Sequence, residues 1–218
     1  MHPDVVGILN SLAVLYDAQS KYQEAEKLLT EVLLIIRSQF GNNHPQVATT
    51  LNNLATVYGS LECFSEAEKL HLQVLEIRKN IFGEEHPDIT NSYNNLAEIY
   101  LAQGKYAEAE KYYNLALSLR KQLLGENHPD VAFSLNNLST LYAAIKRYNE
   151  ALSYRIQASQ IHDKLISNVF AFSSENDRLA FINKIRSNFD LFLSLIYQYL
   201  PNSQEAINSA FDFILKRK

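Results

Sequence analysis

The dipeptide His-Pro recurs at His2-Pro3, His44-Pro45, His86-Pro87 and His128-Pro129, each pair 42 residues after the last. A fixed period of this size confines a chain to stacked supersecondary units, because one unit buries its apolar face only against the next copy. Other columns keep the same step: Leu12, Leu54, Leu96 and Leu138; Tyr16, Tyr58, Tyr100 and Tyr142; Tyr22, Phe64, Tyr106 and Tyr148; Ala25, Ala67, Ala109 and Ala151. Four copies stand in strict register.

Within the unit from Pro87, the residues Tyr93, Leu96, Ala97 and Tyr100 recur at three and four, the spacing of one helix face, and define a helix A. Gly104 then supplies a residue tolerant of positive φ at a tight turn. Tyr106, Ala109, Tyr113, Ala116 and Leu117 restart the stripe as a helix B that ends at Gly125, as Gly41 and Gly83 end its earlier counterparts. The proline of each His-Pro stands near the first turn of the next helix, where a missing N–H costs nothing. Alanine at 13, 55 and 97, with Ser139 fourth, and alanine at 25, 67, 109 and 151 lets the A and B backbones approach closely.

The spacing Leu-x-x-Leu-Ala-x-x-Tyr, with an aromatic residue six positions on and alanine at the next helical spacings, resembles the tetratricopeptide repeat. The 42-residue unit with Leu-Asn-Asn-Leu-Ala is similar to the longer repeats of kinesin light chains, the extra residues lengthening helix B and its exit. The resemblance implies an all-α, right-handed superhelical solenoid of four helix-turn-helix repeats, at about 1–43, 44–85, 86–127 and 128–165, with C-terminal capping helices. It also implies a scaffold that binds proteins or peptides along a concave groove lined by the A helices.

Beyond about residue 163 the period lapses and phenylalanine becomes frequent, at 170, 172, 181, 189, 192, 211 and 213. Ser174 with Asp177 reads as a helix start, and Leu179, Ile182, Phe189, Leu193, Ile196 and Leu200 share a face until Pro201 stops the helix. A second helix runs from Ser203. Residues 166–218 therefore read as a helical cap or linker that seals the open end of the array. The stretch 172–181 resembles the region between the repeats and the caspase-like domain of bacterial TPR-CHAT proteins, which implies a CHAT-type domain as intramolecular partner and, as the alternative to a peptide scaffold, an architectural or regulatory arm whose groove stays empty or is filled in cis. Both ends read as cut, pointing to a piece of a longer protein.

No site for chemistry emerges. Equivalent histidines sit one stacking distance apart, ~8–10 Å, whereas a zinc ion holds its donors within ~2.1 Å, so they cannot share an ion and no metal or cofactor is expected. The histidine is expected to pack in the inter-repeat turn and bond a neighbouring carbonyl or Asp. Cys63, the single cysteine, excludes an intramolecular disulfide framework, lies in an A–B turn away from any histidine column, and suits a reducing compartment, hence the cytoplasm. His71 and His162 are lone side chains on helix B, read as packing. Glu24, Glu66, Glu108 and Glu150 sit on the first turns of helix B, where negative charge is favoured, and read as a solvated face. A net charge of -4 gives no bulk positive field for nucleic acid, and no run of 18 apolar residues spans a membrane.

The asparagines are different. Asn10 with Ser11, and the pairs Asn52-Asn53, Asn94-Asn95 and Asn136-Asn137, fall in mid-helix A, where Asn is a poor helix former. An amide offers a donor and an acceptor, so such a ladder could bond the backbone of an extended peptide. It could equally satisfy buried groups between repeats. Neighbours in a helix are rotated by about 100°, so one of each pair can be structural and the other face a ligand. On the same face lie Thr49, Thr56 and Gly59, then Asn91, Glu98 and Leu101, then Phe133, Thr140 and Ala143. None is basic, so the expected ligand is a protein or peptide segment that is not strongly acidic.

Overall fold

The computed structural model describes residues 3–172 and 190–215, all main elements of which are helices. They are α1 (Pro3–Ala18), α2 (Tyr22–Phe40), α3 (Pro45–Ser60), α4 (Phe64–Phe82), α5 (Pro87–Ala102), α6 (Tyr106–Leu124), α7 (Pro129–Ala144) and α8 (Tyr148–Phe172). A helical segment at 190–199, α9, and α10 (Gln204–Leu215) follow. The start of α9 and the TPR-CHAT-like stretch beyond residue 172 lie outside the described residues. Odd-numbered helices α1–α7 have 16 residues, while α2, α4 and α6 have 19, the longer B helix that the period predicts. α8 runs 25 residues, past the expected end near 165, because no glycine stands where Gly41, Gly83 and Gly125 stop its counterparts.

Each boundary has a local cause. His44, His86 and His128 are N-caps, and the Nδ1 of each accepts a hydrogen bond from the backbone N–H two residues on, at 3.2, 3.2 and 3.1 Å. The hydrogen-bond partner is thus an orphan amide of the first helical turn, and at His86 and His128 that amide belongs to the expected Asp, whose carboxylate stands 3.9 and 3.8 Å from Nδ1. His44 and His86 also stack on Phe40 and Phe82, with ring centroids 4.4 and 4.3 Å apart, tying the end of one helix to the start of the next. The A–B turns close with the backbone N–H of Lys21, Cys63, Lys105 and Arg147 donating to the carbonyls of Tyr16, Tyr58, Tyr100 and Tyr142, all at 2.8 Å. That closure requires a left-handed residue before it. Gly104 takes it at φ 71°, but Ser20, Glu62 and Lys146 take it at 59°, 58° and 62° with a side chain attached.

The chain divides into two compact units, residues 1–116 and 117–218. In the first, α2 packs on α1 and α3, and α4 on α3 and α5. Its core joins Leu29, Val32 and Ile36 of α2 to Val47, Leu51 and Val57 of α3 and to Val74 and Ile77 of α4. Each such side chain contributes about 1.5–3 kcal/mol by leaving water. Ala13 with Ala25 and Ala55 with Ala67 are fully buried in hairpins whose A and B helices pack together, and Ala97 and Ala109 are fully buried as well. Tyr58 and Tyr100 tie neighbouring hairpins together, donating to Glu26 at 2.8 Å and Glu68 at 3.1 Å. Burial, and then the adjoining carboxylate, push both phenols up to about 12.

In the second unit α7 lies on α8, with Val131, Ala132, Leu135, Ala158 and Ile161 in the core. Ser139 replaces the alanine of its column and satisfies its buried hydroxyl by donating to the carbonyl of Ala151 at 2.7 Å. The buried Arg120 donates to Ser134 at 2.7 Å, as Arg78 does to Ser92 at 2.8 Å in the first unit. Tyr199 of α9 stacks on Tyr148 at 4.3 Å, and α10 touches α8.

Candidate peptide-binding face

The asparagine pairs bond to one another across neighbouring A helices. Asn53 Nδ2 donates to Asn10 Oδ1 at 3.1 Å, and Asn95 Nδ2 donates to Asn52 Oδ1 at 2.8 Å. The first amide of one pair therefore accepts from the second amide of the next. Asn10 is buried and uses its own Nδ2 on the carbonyl of Val6 and the hydroxyl of Thr50, both at 3.0 Å. Asn94, also buried, donates to Glu98 Oε1 at 2.7 Å. In the second unit the buried Asn136 accepts from Arg155 Nη1 at 2.9 Å. Each buried amide thus has a partner within the protein, which removes the penalty that an unpaired one would carry.

The second amide of each pair lies nearer solvent. Asn53, Asn95 and Asn137 are half-buried. Among the described residues no donor of the protein reaches Asn53 Oδ1 or Asn95 Oδ1, so each keeps an acceptor to offer. Thr49 and Thr56 are exposed and return their hydroxyl hydrogens to the carbonyls of Pro45 and Asn52, both at 3.1 Å, leaving oxygen lone pairs outward. Asn91 and Glu98 are exposed, and Gly59 and Leu101 are half-buried. In the second unit Phe133 and Thr140 are exposed and Ala143 is half-buried; Phe133 carries the guanidinium of Arg120 5.3 Å from its ring centre.

Between α1 and α3 this face is concave. A cleft of about 260 Å³ is lined by Val6, Gly7, Ser11 and Val14 of α1 and by Gln46, Thr49 and Asn53 of α3. A second, of about 130 Å³, continues it over Val14 and Asn53 to Asp17, Thr56 and Val57. Together they form one trough along the two helices, combining amide and hydroxyl oxygens with methyl groups. No Lys or Arg occurs in α1, α3, α5 or α7. Gly7, Val14 and Asp17 were missed by the sequence reading, although they stand one period before Thr49, Thr56 and Gly59 and could have been found by extending those columns to the first repeat.

The residues considered for chemistry are dispersed. Cys63 is exposed in its turn, and His71 is buried with no partner at Nδ1. Among the described residues no group of three His, Cys, Asp or Glu is placed to hold a metal ion, and no helix is long and apolar enough to cross a membrane.

The tetratricopeptide repeat profile matches residues 4–80, 53–122 and 88–164, three overlapping pairs of these hairpins. The chain belongs to the tetratricopeptide repeat family. Such repeats generally serve as protein-interaction scaffolds. Among solved structures, the tetratricopeptide chain is similar to BtubC (BKLC) from P. vanneervenii, with 28% identity and a TM-score of 0.68 over 76% of this chain and 66% of that one. Kinesin light chain TPR-like repeats from Podosopora anserina match at 23% identity and a TM-score of 0.68, over 100% of this chain and 98% of that one. The apo form of RapI matches at 18% identity and a TM-score of 0.63, over 100% of this chain and 85% of that one. The last two likenesses concern the fold alone. Among curated proteins no match is found.

Proposed function

We propose that this tetratricopeptide chain is a non-catalytic scaffold and that the trough between α1 and α3 holds an extended peptide segment, supplied by another protein or by the same polypeptide. The observation that carries the reading is an open, two-part cleft whose walls offer the unbonded Asn53 Oδ1 beside the hydroxyl oxygens of Thr49 and Thr56 and the methyls of Val14. From Gly7 to Asp17 helix α1 advances ~15 Å at 1.5 Å per residue. That length accommodates about five extended residues at ~3.3 Å each. Asn53 meets backbone N–H groups, and the apolar patches accept small side chains, a mode of recognition that reads little sequence. Of the asparagines, Asn53 and Asn95 contribute binding oxygens, while Asn10, Asn52, Asn94 and Asn136 hold the wall together. Asn91 and Glu98 are further candidates on α5 of the first unit, and Asn137 and Thr140 are candidates on α7 of the second, each unit taken by itself. The lone exposed thiol of Cys63 suits a reducing, cytoplasmic setting.

The test is to select peptides from a displayed random library on the purified chain and to measure their affinity for wild type, Ser11→Arg and Thr49→Arg by fluorescence anisotropy. Both positions are exposed, so melting temperatures should barely move, whereas a bulky side chain in the trough should weaken binding ~10-fold or more. Undiminished binding to both variants refutes the α1–α3 trough as the site.

A further inference from the structure

We propose that the far end of this trough is a pocket for a basic side chain, Lys or Arg, with Asp17 as the group that selects it; the assignment rests on the peptide reading above and names the chemistry of its ligand. Asp17 lines the 130 Å³ cleft together with Val14, Leu29, Asn53, Thr56 and Val57. Its Oδ1 is shielded from water and has no hydrogen-bond partner among the described residues. Asp17 is half-buried at the cleft wall, and with no donor on the withdrawn Oδ1 its negative charge is left to favour a cation held at the rim of the cleft.

The surroundings strengthen that preference. Asp17 sits in the last turn of α1, where outward carbonyls give the helix end partial negative charge that favours cations. Asn53 Oδ1, on the same cleft, also lacks a donor, and the hydroxyl of Thr56 spends its hydrogen on Asn52, so the polar rim presents acceptors. Lys21, the nearest cation along the chain, lies over the ring of Tyr16, 5.8 Å from its centre, and Asp17 takes part in no ion pair among the described residues. The floor of Leu29, Val14 and Val57 suits the methylene stem of a long basic residue, whose charged tip then reaches the rim. A cleft of this size takes one side chain, being smaller than the ~300 Å³ where small-molecule sites begin.

The carboxylate has no architectural role in the repeat. Its column continues as Gly59, Leu101 and Ala143, none of which is charged, so the hairpin closes without it. The pocket is therefore confined to the first repeat and fixes the register in which a peptide lies along the trough.

The experiment compares labelled heptapeptides that differ only at one central residue, Lys, Arg, norleucine, citrulline or Glu, binding to the full chain by anisotropy. In parallel, n-butylammonium is titrated against n-butanol while backbone amide resonances are followed by NMR. The expected result is that Lys and Arg peptides bind ~10-fold or more tightly than norleucine and citrulline, with Glu weakest, and that Asp17→Asn removes the preference. The wild-type comparison needs no variant, so misfolding of Asp17→Asn would leave the outcome decided. Equal affinity of basic and neutral peptides overturns the pocket while the trough reading survives. Failure of every peptide, with butylammonium but not butanol shifting the amides of Asp17, Asn53 and Thr56, supports the pocket and refutes the peptide reading. Silence from both probes overturns the pocket as well.

Discussion

His71 should make this protein lose stability in mild acid, and replacing it with leucine should remove that loss. The imidazole lies on α4 with 3% of its surface exposed, and its Nδ1 is buried without a partner. Burial, aided by the positive charge of Arg78, lowers its pKa from 6.5 to about 4. The folded value is depressed, so between about 6.5 and 4 the unfolded chain carries a proton on this ring that the folded chain refuses. Stability from this group is therefore complete above pH 6.5 and falls as pH drops, by about 1.4 kcal/mol per unit inside the window. Going from about pH 7.5 to about pH 5 should remove ~2 kcal/mol through His71. One period earlier the column holds Leu29, fully buried, so His71→Leu places a side chain that the repeat already accepts. Urea unfolding of wild type and variant at both pH values isolates the term, because the other histidines are common to both proteins. The variant should lose ~2 kcal/mol less on acidification. Parallel losses in the two proteins would refute a neutral, buried His71.

Three further outcomes follow from the packing. Glu62→Gly should raise stability by ~0.5–1 kcal/mol in thermal melts, because Glu62 holds φ 58° where a side chain is strained; a lower melting temperature would contradict that strain. Asn10→Ala should cost ~2 kcal/mol, since it deprives both Thr50 and Asn53 of a partner, whereas Ser11→Ala, exposed beside it, should stay within ~0.5 kcal/mol; equal effects would show the amide bridge to be idle. Tyr58→Phe should cost ~1 kcal/mol in denaturant unfolding through its lost bond to Glu26, and an additional loss in Glu26→Gln/Tyr58→Phe over the single change would indicate that the pair is not the source.

Much of the architecture was legible because its causes are local. A stripe at three and four residues calls for a helix wherever it occurs, and His-Pro and glycine mark helix ends with groups reaching only a few residues along the chain. The expected Asp neighbour of the histidine is present at His86 and His128, but the capping bond that the ring makes was not legible. Its Nδ1 serves a backbone N–H of the coming helix, a role that side-chain identity alone does not announce because imidazole both donates and accepts. The left-handed residues Ser20, Glu62 and Lys146 were equally hidden. The tyrosine and alanine columns hold the turn closed, and the backbone takes the strain whatever side chain is present.

The linear chain by itself determined the repeated hairpins and most of their helix ends, since periodicity and capping act over a few residues; the end of α8, which runs on to Phe172, it placed too early. Only the folded arrangement decided which polar groups are used up. Asn10 and Asn53, or Asn52 and Asn95, meet because neighbouring A helices lie side by side; the recurring mid-helix asparagines marked the positions, but which amide bonds which is fixed by a contact spanning an entire period. The same packing leaves Asp17 without a donor at the edge of a cleft, because an unmet hydrogen bond is a property of everything that surrounds an atom and becomes visible only when those surroundings are in place.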